Sequence, residues 1–243
     1  MSAYVTTSWD DGGALDVKLA QHLREHGVSG TFYWTVASEQ FPMAGASEAR
    51  EILALGMEIG SHTMTHPDVT AIDADALQWE LEESKEQLED LTGREVSSFC
   101  YPFGYFNDRA ASAIASAGYR LARTTVGFRN DLGPDPFHMP VTIQVYPHGR
   151  RVHASHALKE KNIAGLGRWL TSYKAGADLA SLAEAALDEM ENKGGVLHLW
   201  GHSWELEEFG LWETLDELLE MVSDRPGVTH VTNAELMAMD SNS

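Results

Sequence analysis

Only one cysteine, Cys100, occurs among the 243 residues. A single thiol cannot form an intrachain disulfide, which excludes the small disulfide-stapled class of secreted domains. No apolar run approaches the ~20 residues that a membrane-spanning helix needs. No leader with a basic start and an apolar centre precedes the first strand-like segment. From these absences we expect a cytoplasmic protein with no membrane partner.

Basic residues are also scarce, with 17 lysines and arginines against 37 aspartates and glutamates and a formal net charge of −20. Contact with nucleic acid or with an anionic membrane requires a basic patch, so neither is a predicted partner. Hydrophobic residues make up 43% of the chain, which is enough for a large core. No linker or repeat divides the chain, and we predict one domain over residues 1–243. Nothing in the sequence specifies an oligomeric state.

Strand-like and helix-like segments alternate along the chain. Residues 2–9 are rich in β-branched and aromatic side chains and run into Gly12-Gly13, which indicates a strand followed by a loop. Apolar periodicity and terminal glycines predict three helices, and a capping box predicts the start of a fourth, at 15–26, 77–91, 179–192 and 232–235. The alternation predicts an α/β fold. The glutamates of the second helix are expected to face solvent.

Two adjacent carboxylates, Asp10 and Asp11, lie where the first predicted strand ends. Neighbouring side chains on an extended chain point to opposite faces, so the two have different roles unless the chain bends. One could ligate a metal ion while the other remains free as a base. The alternative is a solvated turn before Gly12.

Two histidines, His62 and His66, follow a second strand-like segment at 56–61. Their spacing predicts that both imidazoles lie on one face of a helical turn, which Pro67 limits. Two histidines and one carboxylate form a catalytic zinc set with an open position for water. A surface pair that binds nothing is the alternative. Because both motifs follow predicted strands, they would lie where α/β barrels build active sites.

Four segments resemble, in this order, the motifs of the polysaccharide deacetylase superfamily, whose members share the NodB homology domain of carbohydrate esterase family 4. They are 9–12 (WDDG), 61–66 (SHTMTH), 99–104 (FCYPFG) and 197–205 (LHLWGHSWE). The resemblance extends over residues 4–235. It implies a single distorted (β/α) barrel of seven strands. It also implies a metal-dependent hydrolase that removes N-acetyl groups from an N-acetylated sugar, oligosaccharide or polysaccharide.

Carried over by position, the resemblance implies a role for each main site residue. Asp11, His62 and His66 would hold a divalent metal ion, with Zn²⁺ the first choice and Co²⁺, Ni²⁺ or Mn²⁺ also suited to these donors. Asp10 would be the general base and His202 the general acid. A bound metal ion lowers the pKa of water toward ~7, and a histidine near its usual pKa can protonate an amine leaving group.

The third motif departs from the family pattern, because Cys100 stands where many members have an arginine that steadies the catalytic aspartate. Arg123, on the next predicted strand, could supply that support or could lie on the surface. Cys100 is expected to be buried rather than nucleophilic. The backbone N–H of Phe103 would share the developing oxyanion with the metal. No segment clearly matches the fourth motif, an aspartate–tryptophan element, and Trp169 is a loose candidate.

Two histidines of the last motif compete for the acid role. His202 is favoured over His198, because Gly201 and Ser203 mark the end of the strand. His198 is expected to be a packed strand residue.

Aromatic rings and a proline near the motifs are predicted to bind substrate, because such faces stack on sugar rings. They are Trp9, Tyr101, Pro102 and Trp204. The alternative is that they are ordinary hydrophobic residues of a barrel rim.

The segment from about 128 to 167 interrupts the strand–helix pattern with four prolines and is predicted to be an irregular, loop-rich functional segment. Its histidines at 138–156 could form a second metal site, although solvated side chains are the simpler interpretation. Arg150-Arg151, Lys159 and Lys161 make it the most basic part of the chain, which favours contact with an anionic portion of the substrate.

Two other functions stay open. One is hydrolysis of a non-sugar amide, such as a cyclic imide or ureide, which the missing arginine and the cytoplasmic expectation favour. The other is a carbohydrate-binding protein without turnover, against which the complete set of two aspartates and two histidines weighs.

Overall fold

The computed structural model describes residues 2–37 and 43–240, in which parallel strands alternate with helices. The strands are β1 (Ala3–Asp11), β2 (Gly30–Trp34), β3 (Glu58–Ser61), β4 (Ser98–Cys100), β5 (Leu121–Arg123), β6 (Ile143–Gln144), β7 (Gly195–His202) and β8 (Val228–His230). The α-helices are α1 (Asp16–Glu25), α2 (Ala46–Ala54), α3 (Ala74–Thr92), α4 (Asp108–Ser116), α5 (Arg150–Lys159), α6 (Ile163–Thr171), α7 (Leu179–Lys193), α8 (Ser203–Glu208), α9 (Trp212–Ser223) and α10 (Asn233–Asp240). Single 3-10 turns cover Pro102–Gly104 and Pro136–His138. No helix in these described ranges is long and apolar enough to cross a membrane.

Seven strands lie side by side in the order β5-β4-β3-β2-β1-β7-β6, and every pair is parallel. The short strand β8 pairs with the first half of β1, and β2 pairs with its second half. The segment 139–145 joins the two edges, because its backbone bonds to 122–129 on one side and to β7 on the other. The predicted distorted (β/α) barrel is confirmed, and β8 adds an eighth strand to the predicted seven.

The strands form the core because helices cover the sheet, as is usual when all strands are parallel. In β1 every residue from Val5 to Asp11 is buried. Helix α3 packs on β3 with the leucines of its apolar stripe buried, Leu77, Leu81 and Leu88. This packing fixes the carboxyl ends of the strands at one rim of the barrel.

Local capping places the helix ends close to the predicted positions, and the bounds of α1, α3 and α7 lie within three residues of them. Helix α3 begins early because Asp73 caps it by accepting from the Ala76 N–H at 2.9 Å. The predicted capping box of α10 is confirmed. The Thr232 N–H donates to Glu235 at 2.9 Å, and the Glu235 N–H donates to Thr232 Oγ1 at 3.3 Å.

The prediction of an irregular segment over 128–167 is wrong for its second half. The chain is irregular only as far as Gly149, after which α5 and α6 follow in close succession. The physical reason is that no proline follows Pro147 within this segment, so none interrupts α5 or α6. Asn162 then starts α6 by accepting from the Gly165 N–H at 2.8 Å.

Candidate active site

The predicted site residues converge at the carboxyl ends of the strands. In the pairing of β1 with β7, Asp10 lies beside His202. In the pairing of β4 with β5, Cys100 lies beside Arg123. His62 directly follows β3. Parallel strands end on the same rim, so residues far apart in the chain are brought into one depression.

A bend at Asp11 directs both aspartates into this depression. Asp11 ends β1 with a φ of 84°, so the strand geometry that would separate the two carboxylates does not apply there. Gly12 follows with a φ of 83°, and an added Cβ would lie 2.9 Å from the Trp34 ring. Asp11 Oδ2 accepts a 2.8 Å hydrogen bond from the indole N–H of Trp204. The predicted substrate residue Trp204 therefore also orients this carboxylate.

The two histidines meet through a tight loop, so the prediction of a helical turn is wrong. Thr63 and His66 both have positive φ, 70° and 63°, and the His66 N–H donates to Thr63 Oγ1 at 2.9 Å. The loop is stabilised by Glu80 of α3, whose carboxylate accepts the backbone N–H groups of Met64 and Thr65 at 2.8 and 2.9 Å. Glu80 is 4% exposed, against the expectation that the glutamates of this helix face solvent.

Three donor atoms fit one divalent metal ion. The Nε2 atoms of His62 and His66 lie 3.1 Å apart, and Asp11 Oδ1 lies 3.8 and 3.7 Å from them. Ligands ~2.1 Å from a tetrahedral zinc ion are about 3.4 Å from one another, which these distances approximate. His62 Nδ1 lies 2.8 Å from the Cys100 carbonyl oxygen. Because a carbonyl oxygen can only accept, Nδ1 is the hydrogen-bond donor, and Nε2 keeps a lone pair that can ligate a metal ion.

The protonation state of His62 also suits a ligand, because burial lowers its pKa to about 4. A second group of possible metal ligands consists of Asp10, Cys100 and the same histidine, His62. Burial raises the pKa of the Cys100 thiol well above its usual value, so this group offers a protonated sulfur, which is a poor ligand. Elsewhere in the described part of the chain no comparable group occurs, the histidines of 138–156 included.

Asp10 is held by an ion pair with Arg123. The guanidinium donates to Asp10 Oδ1, and the Cys100 thiol lies 3.6 Å from Oδ2. Arg123 is fully buried, with its guanidinium carbon 5.5 and 5.0 Å from the ring centres of Tyr33 and Trp200. The surface interpretation of Arg123 is therefore wrong. Burial alone would raise the pKa of Asp10, but the nearby positive charges, that of Arg123 first and those of His62 and His202 after it, together lower the pKa.

The pKa of His202 is shifted in the opposite direction, upward. Its Nδ1 lies 2.6 Å from Glu205 Oε2, and its Nε2 lies 3.9 Å from Asp11 Oδ2. Burial alone would lower the pKa of His202, but the hydrogen bond to Glu205 and the charges of Asp10 and Asp11 raise it. Glu205 was not singled out from the sequence as a candidate site residue. The sequence feature that could have indicated it is its position three residues after His202, in the first turn of the helix that follows β7.

His198 takes no part in this arrangement. It is 1% exposed and lies 2.8 Å from Ser8 Oγ and 3.2 Å from the Pro140 carbonyl oxygen. It is a packed strand residue, as predicted. Trp169 lies in α6, where it packs near Phe128 and donates to the Gly176 carbonyl at 2.8 Å. The structure gives it no contact with the site residues.

Three of the four predicted substrate residues are buried, and that prediction is wrong for them. Trp9 has no exposed surface and donates to Thr7 Oγ1 at 3.0 Å. Tyr101 is 1% exposed, with its hydroxyl bonded to the Phe137 carbonyl. Pro102 is buried at the start of a 3-10 turn. These residues lie inside the barrel wall, and the next residue, Phe103, is the exposed one.

Phe103 has a φ of 57° and a side chain that is 57% exposed. Its ring packs edge-on against the imidazole of His66, with 4.5 Å between ring centres. The loop after β4 therefore reaches the donor atoms of the site.

Comparison with known proteins gives a consistent result. A family model described as polysaccharide deacetylase matches residues 2–122. A peptidoglycan-N-acetylmuramic acid deacetylase of Bacillus subtilis is 25% identical over 163 residues, covering 65% of this chain and 60% of the relative. A chitooligosaccharide deacetylase of Rhizobium leguminosarum is 31% identical over 124 residues, covering 49% of this chain and 52% of the relative. The matched part thus spans between a half and two thirds of these relatives.

The fold is shared with solved structures. A family 4 acetyl xylan esterase from Clostridium thermocellum, solved with a cobalt ion, superposes with a TM-score of 0.63. The two chains are 14% identical, and the superposition covers 98% of this chain and 92% of the esterase. At this identity the likeness extends to the fold alone.

Proposed function

Because the chain belongs to the polysaccharide deacetylase superfamily, we propose that it is a metal-dependent hydrolase that removes acetyl groups from an N-acetylated sugar, oligosaccharide or polysaccharide. One observation carries the proposal. A low-pKa carboxylate, Asp10, and a high-pKa imidazole, His202, lie on the same rim as the three donors Asp11, His62 and His66. Titratable groups whose environments push their pKa values apart are suited to acid and base roles.

The donor set suits Zn²⁺ or a similar divalent ion, which when bound would polarise the acetamide carbonyl and lower the pKa of water. Asp10 is not one of its proposed ligands. Held ionised by Arg123, Asp10 accepts the proton of the attacking water. His202, held protonated by Glu205, gives a proton to the departing amine nitrogen. The backbone N–H of Phe103 is the proposed donor to the developing oxyanion.

The first test is the metal content of the purified protein. We expect about one divalent ion per chain, bound by the wild type and lost in the double variant His62→Ala/His66→Ala, because two of three ligands are removed. Release of acetate from N-acetylglucosamine oligosaccharides should disappear with the metal. The matched control is His22→Ala/His26→Ala, a histidine pair with the same spacing, in α1 and at its C-cap, that lies beside Asp216. Wild-type protein that takes up no Zn²⁺ or Co²⁺ would contradict the proposal.

A second prediction concerns the pH dependence. His202 acts as an acid only when protonated, so activity should fall as the pH rises through its pKa. Glu205→Gln keeps a hydrogen-bond acceptor but removes the charge, so the alkaline limb of the kcat/KM profile should move to lower pH. The control is Glu208→Gln, an exposed glutamate of the same helix. If Glu205→Gln leaves that limb in place, His202 is not the acid.

The alternative of a cyclic imide or ureide hydrolase is weakened by the structure. Its main support was the missing arginine of the third motif, and Arg123 supplies a guanidinium to Asp10 from the neighbouring strand. A panel of imides and acetylated oligosaccharides distinguishes the two activities. Glycan binding without any acetate release would instead favour a non-catalytic carbohydrate-binding protein.

A further inference from the structure

A cleft of about 750 Å³ opens beside the proposed active site. We call it the basic cleft, and we define it by Phe103, Trp200, His156, Lys159 and Lys161, which line it. The Phe103 ring packs on His66, and the centre of the Trp200 ring lies 5.8 Å from that of His202. The basic cleft therefore begins beside His202, the proposed acid, and His66, a proposed metal ligand.

The charge of the basic cleft differs from that of the molecule as a whole. The chain has a net charge of −20, and its lysines that pair with carboxylates are Lys18, Lys85 and Lys193. Lys159 and Lys161 form no ion pair with the described residues, and both line the cleft. Two unneutralised cations at one concave site produce a local positive potential that attracts anions.

A recess next to the basic cleft adds hydrogen-bonding groups. It is lined by His148, His153 and His156 and shares Gln144 and Trp200 with the cleft. His153 is 8% exposed, and its Nε2 is buried without a hydrogen-bond partner in the described part of the chain. A buried polar atom without a partner is unusual. A ligand that reaches into the recess would supply that partner.

One acidic residue, Glu160, also lines the cleft. Burial raises its pKa to about 7, although the Gly127 N–H points at its carboxylate. Near neutral pH this group is partly protonated, so it cancels less of the positive charge than an ordinary glutamate would. A protonated carboxyl can also donate a hydrogen bond to an anion.

We propose that the basic cleft binds an anionic group, a carboxylate or a phosphate, on a sugar next to the acetylated one, so that the substrate is an acidic glycan. The inference rests on the proposed deacetylation, since it assigns the part of the glycan that lies outside the reacting group. Phe103 and Trp200 offer ring faces to the sugar. Lys159 and Lys161 contact its anionic substituent.

The test compares three N-acetylglucosamine tetrasaccharides of equal length. One alternates with glucuronic acid, the second is the same compound with its carboxyl groups reduced to alcohols, and the third carries phosphate. The proteins are wild type, Lys159→Gln/Lys161→Gln, and the control Arg94→Gln/Lys174→Gln, which makes the same charge change at exposed positions that do not line the cleft. Both kcat/KM for acetate release and binding by titration calorimetry are measured.

We expect wild type to prefer one anionic compound over the neutral one by about fivefold, mainly through KM, and this preference should weaken at high salt. The lysine variant should lose the preference while keeping its rate on the neutral compound, and the control should behave as wild type. The anionic compound that the wild type prefers shows whether the cleft binds a carboxylate or a phosphate. Equal use of all three compounds by wild type would overturn the inference.

The two proposals fail in different ways. Equal acetate release from the charged and the neutral compounds would support the deacetylase proposal and contradict the proposal that the substrate is an acidic glycan. If no acetate is released but binding is selective for anions and the lysine variant loses that selectivity, the deacetylase proposal is contradicted and the proposal of anion binding in the cleft is supported. Absence of both release and selective binding overturns both.

Discussion

Replacing Asp10 by asparagine is expected to lower kcat/KM for deacetylation by about 10³-fold while the metal content stays unchanged. An amide oxygen cannot take up the proton of the attacking water, and general-base catalysis contributes ~10²–10⁴-fold in such reactions. Because Asp11, and not Asp10, completes the donor set with the two histidines, the metal should remain bound. Steady-state kinetics and elemental analysis of the same preparation check both parts.

The Asp10→Asn variant also leaves the Arg123 guanidinium buried without its carboxylate. Removing one partner of a buried ion pair costs about 3–5 kcal/mol, a large part of the ~5–15 kcal/mol that stabilises a typical domain. Activity is therefore measured at a temperature where circular dichroism shows the variant folded. Asp73→Asn is the control, because asparagine caps a helix as well as aspartate does. A folded Asp10→Asn variant with more than a tenth of wild-type activity would show that Asp10 is not the base.

The second large effect is expected for Arg123→Met, which replaces the guanidinium by an apolar chain of similar length. Activity should fall by about 10²-fold or more, because the proposed base, Asp10, loses the group that orients it and keeps it ionised. Stability should fall by about 3–5 kcal/mol, since Asp10 is left as an unpaired buried charge. Arg120→Met is the control, because Arg120 is 70% exposed in its ion pair with Glu95. Its removal should cost no more than ~1 kcal/mol.

The pH dependence of this stability loss has a definite sign. In the folded protein the pKa of Asp10 is lowered, because the charges of Arg123, His62 and His202 together exceed the effect of burial, with Arg123 contributing most of the three. The pair therefore stabilises the fold above the unfolded-state pKa of ~3.9, and that contribution is lost as the pH falls through the lower folded-state value. The difference in unfolding free energy between wild type and Arg123→Met should be largest at neutral pH and shrink on acidification. A pH-independent difference would mean that Arg123 acts through packing alone.

A rescue variant separates a lost guanidinium from a damaged core. Cys100 and Arg123 are register partners on adjacent strands, so Cys100→Arg/Arg123→Cys moves the guanidinium from β5 to β4 beside the same aspartate. The exchange variant should be at least about tenfold more active than Arg123→Met, despite some cost of repacking. Failure of the exchange in a folded protein would show that Asp10 needs its guanidinium from β5.

The fold class, the ends of α1, α3 and α7 and the candidate site residues were predictable from the sequence. These features depend on local patterns. The capping box at Thr232 to Glu235 and the glycine after α3 act within a few residues. The WDDG and SHTMTH motifs place their donors directly at strand ends. The order of such motifs along alternating strands and helices is enough to predict that they meet on one rim.

The contacts that support the candidate site were not predictable from the sequence, because they depend on strand register and helix packing. Arg123 reaches Asp10 because of strand register, which one sequence does not specify in a sheet buried on both faces. Glu80 reaches the histidine loop because of the way α3 packs on β3.

The burial of Trp9 and Tyr101 likewise depended on which face of each strand turns inward, and aromatic residues suit a core and a sugar platform equally well. The loop in which His66 has a positive φ is held by the side chain of Glu80 from α3. Long-range packing selects among conformations that the local sequence leaves nearly equal in energy, and for that reason it decided these contacts.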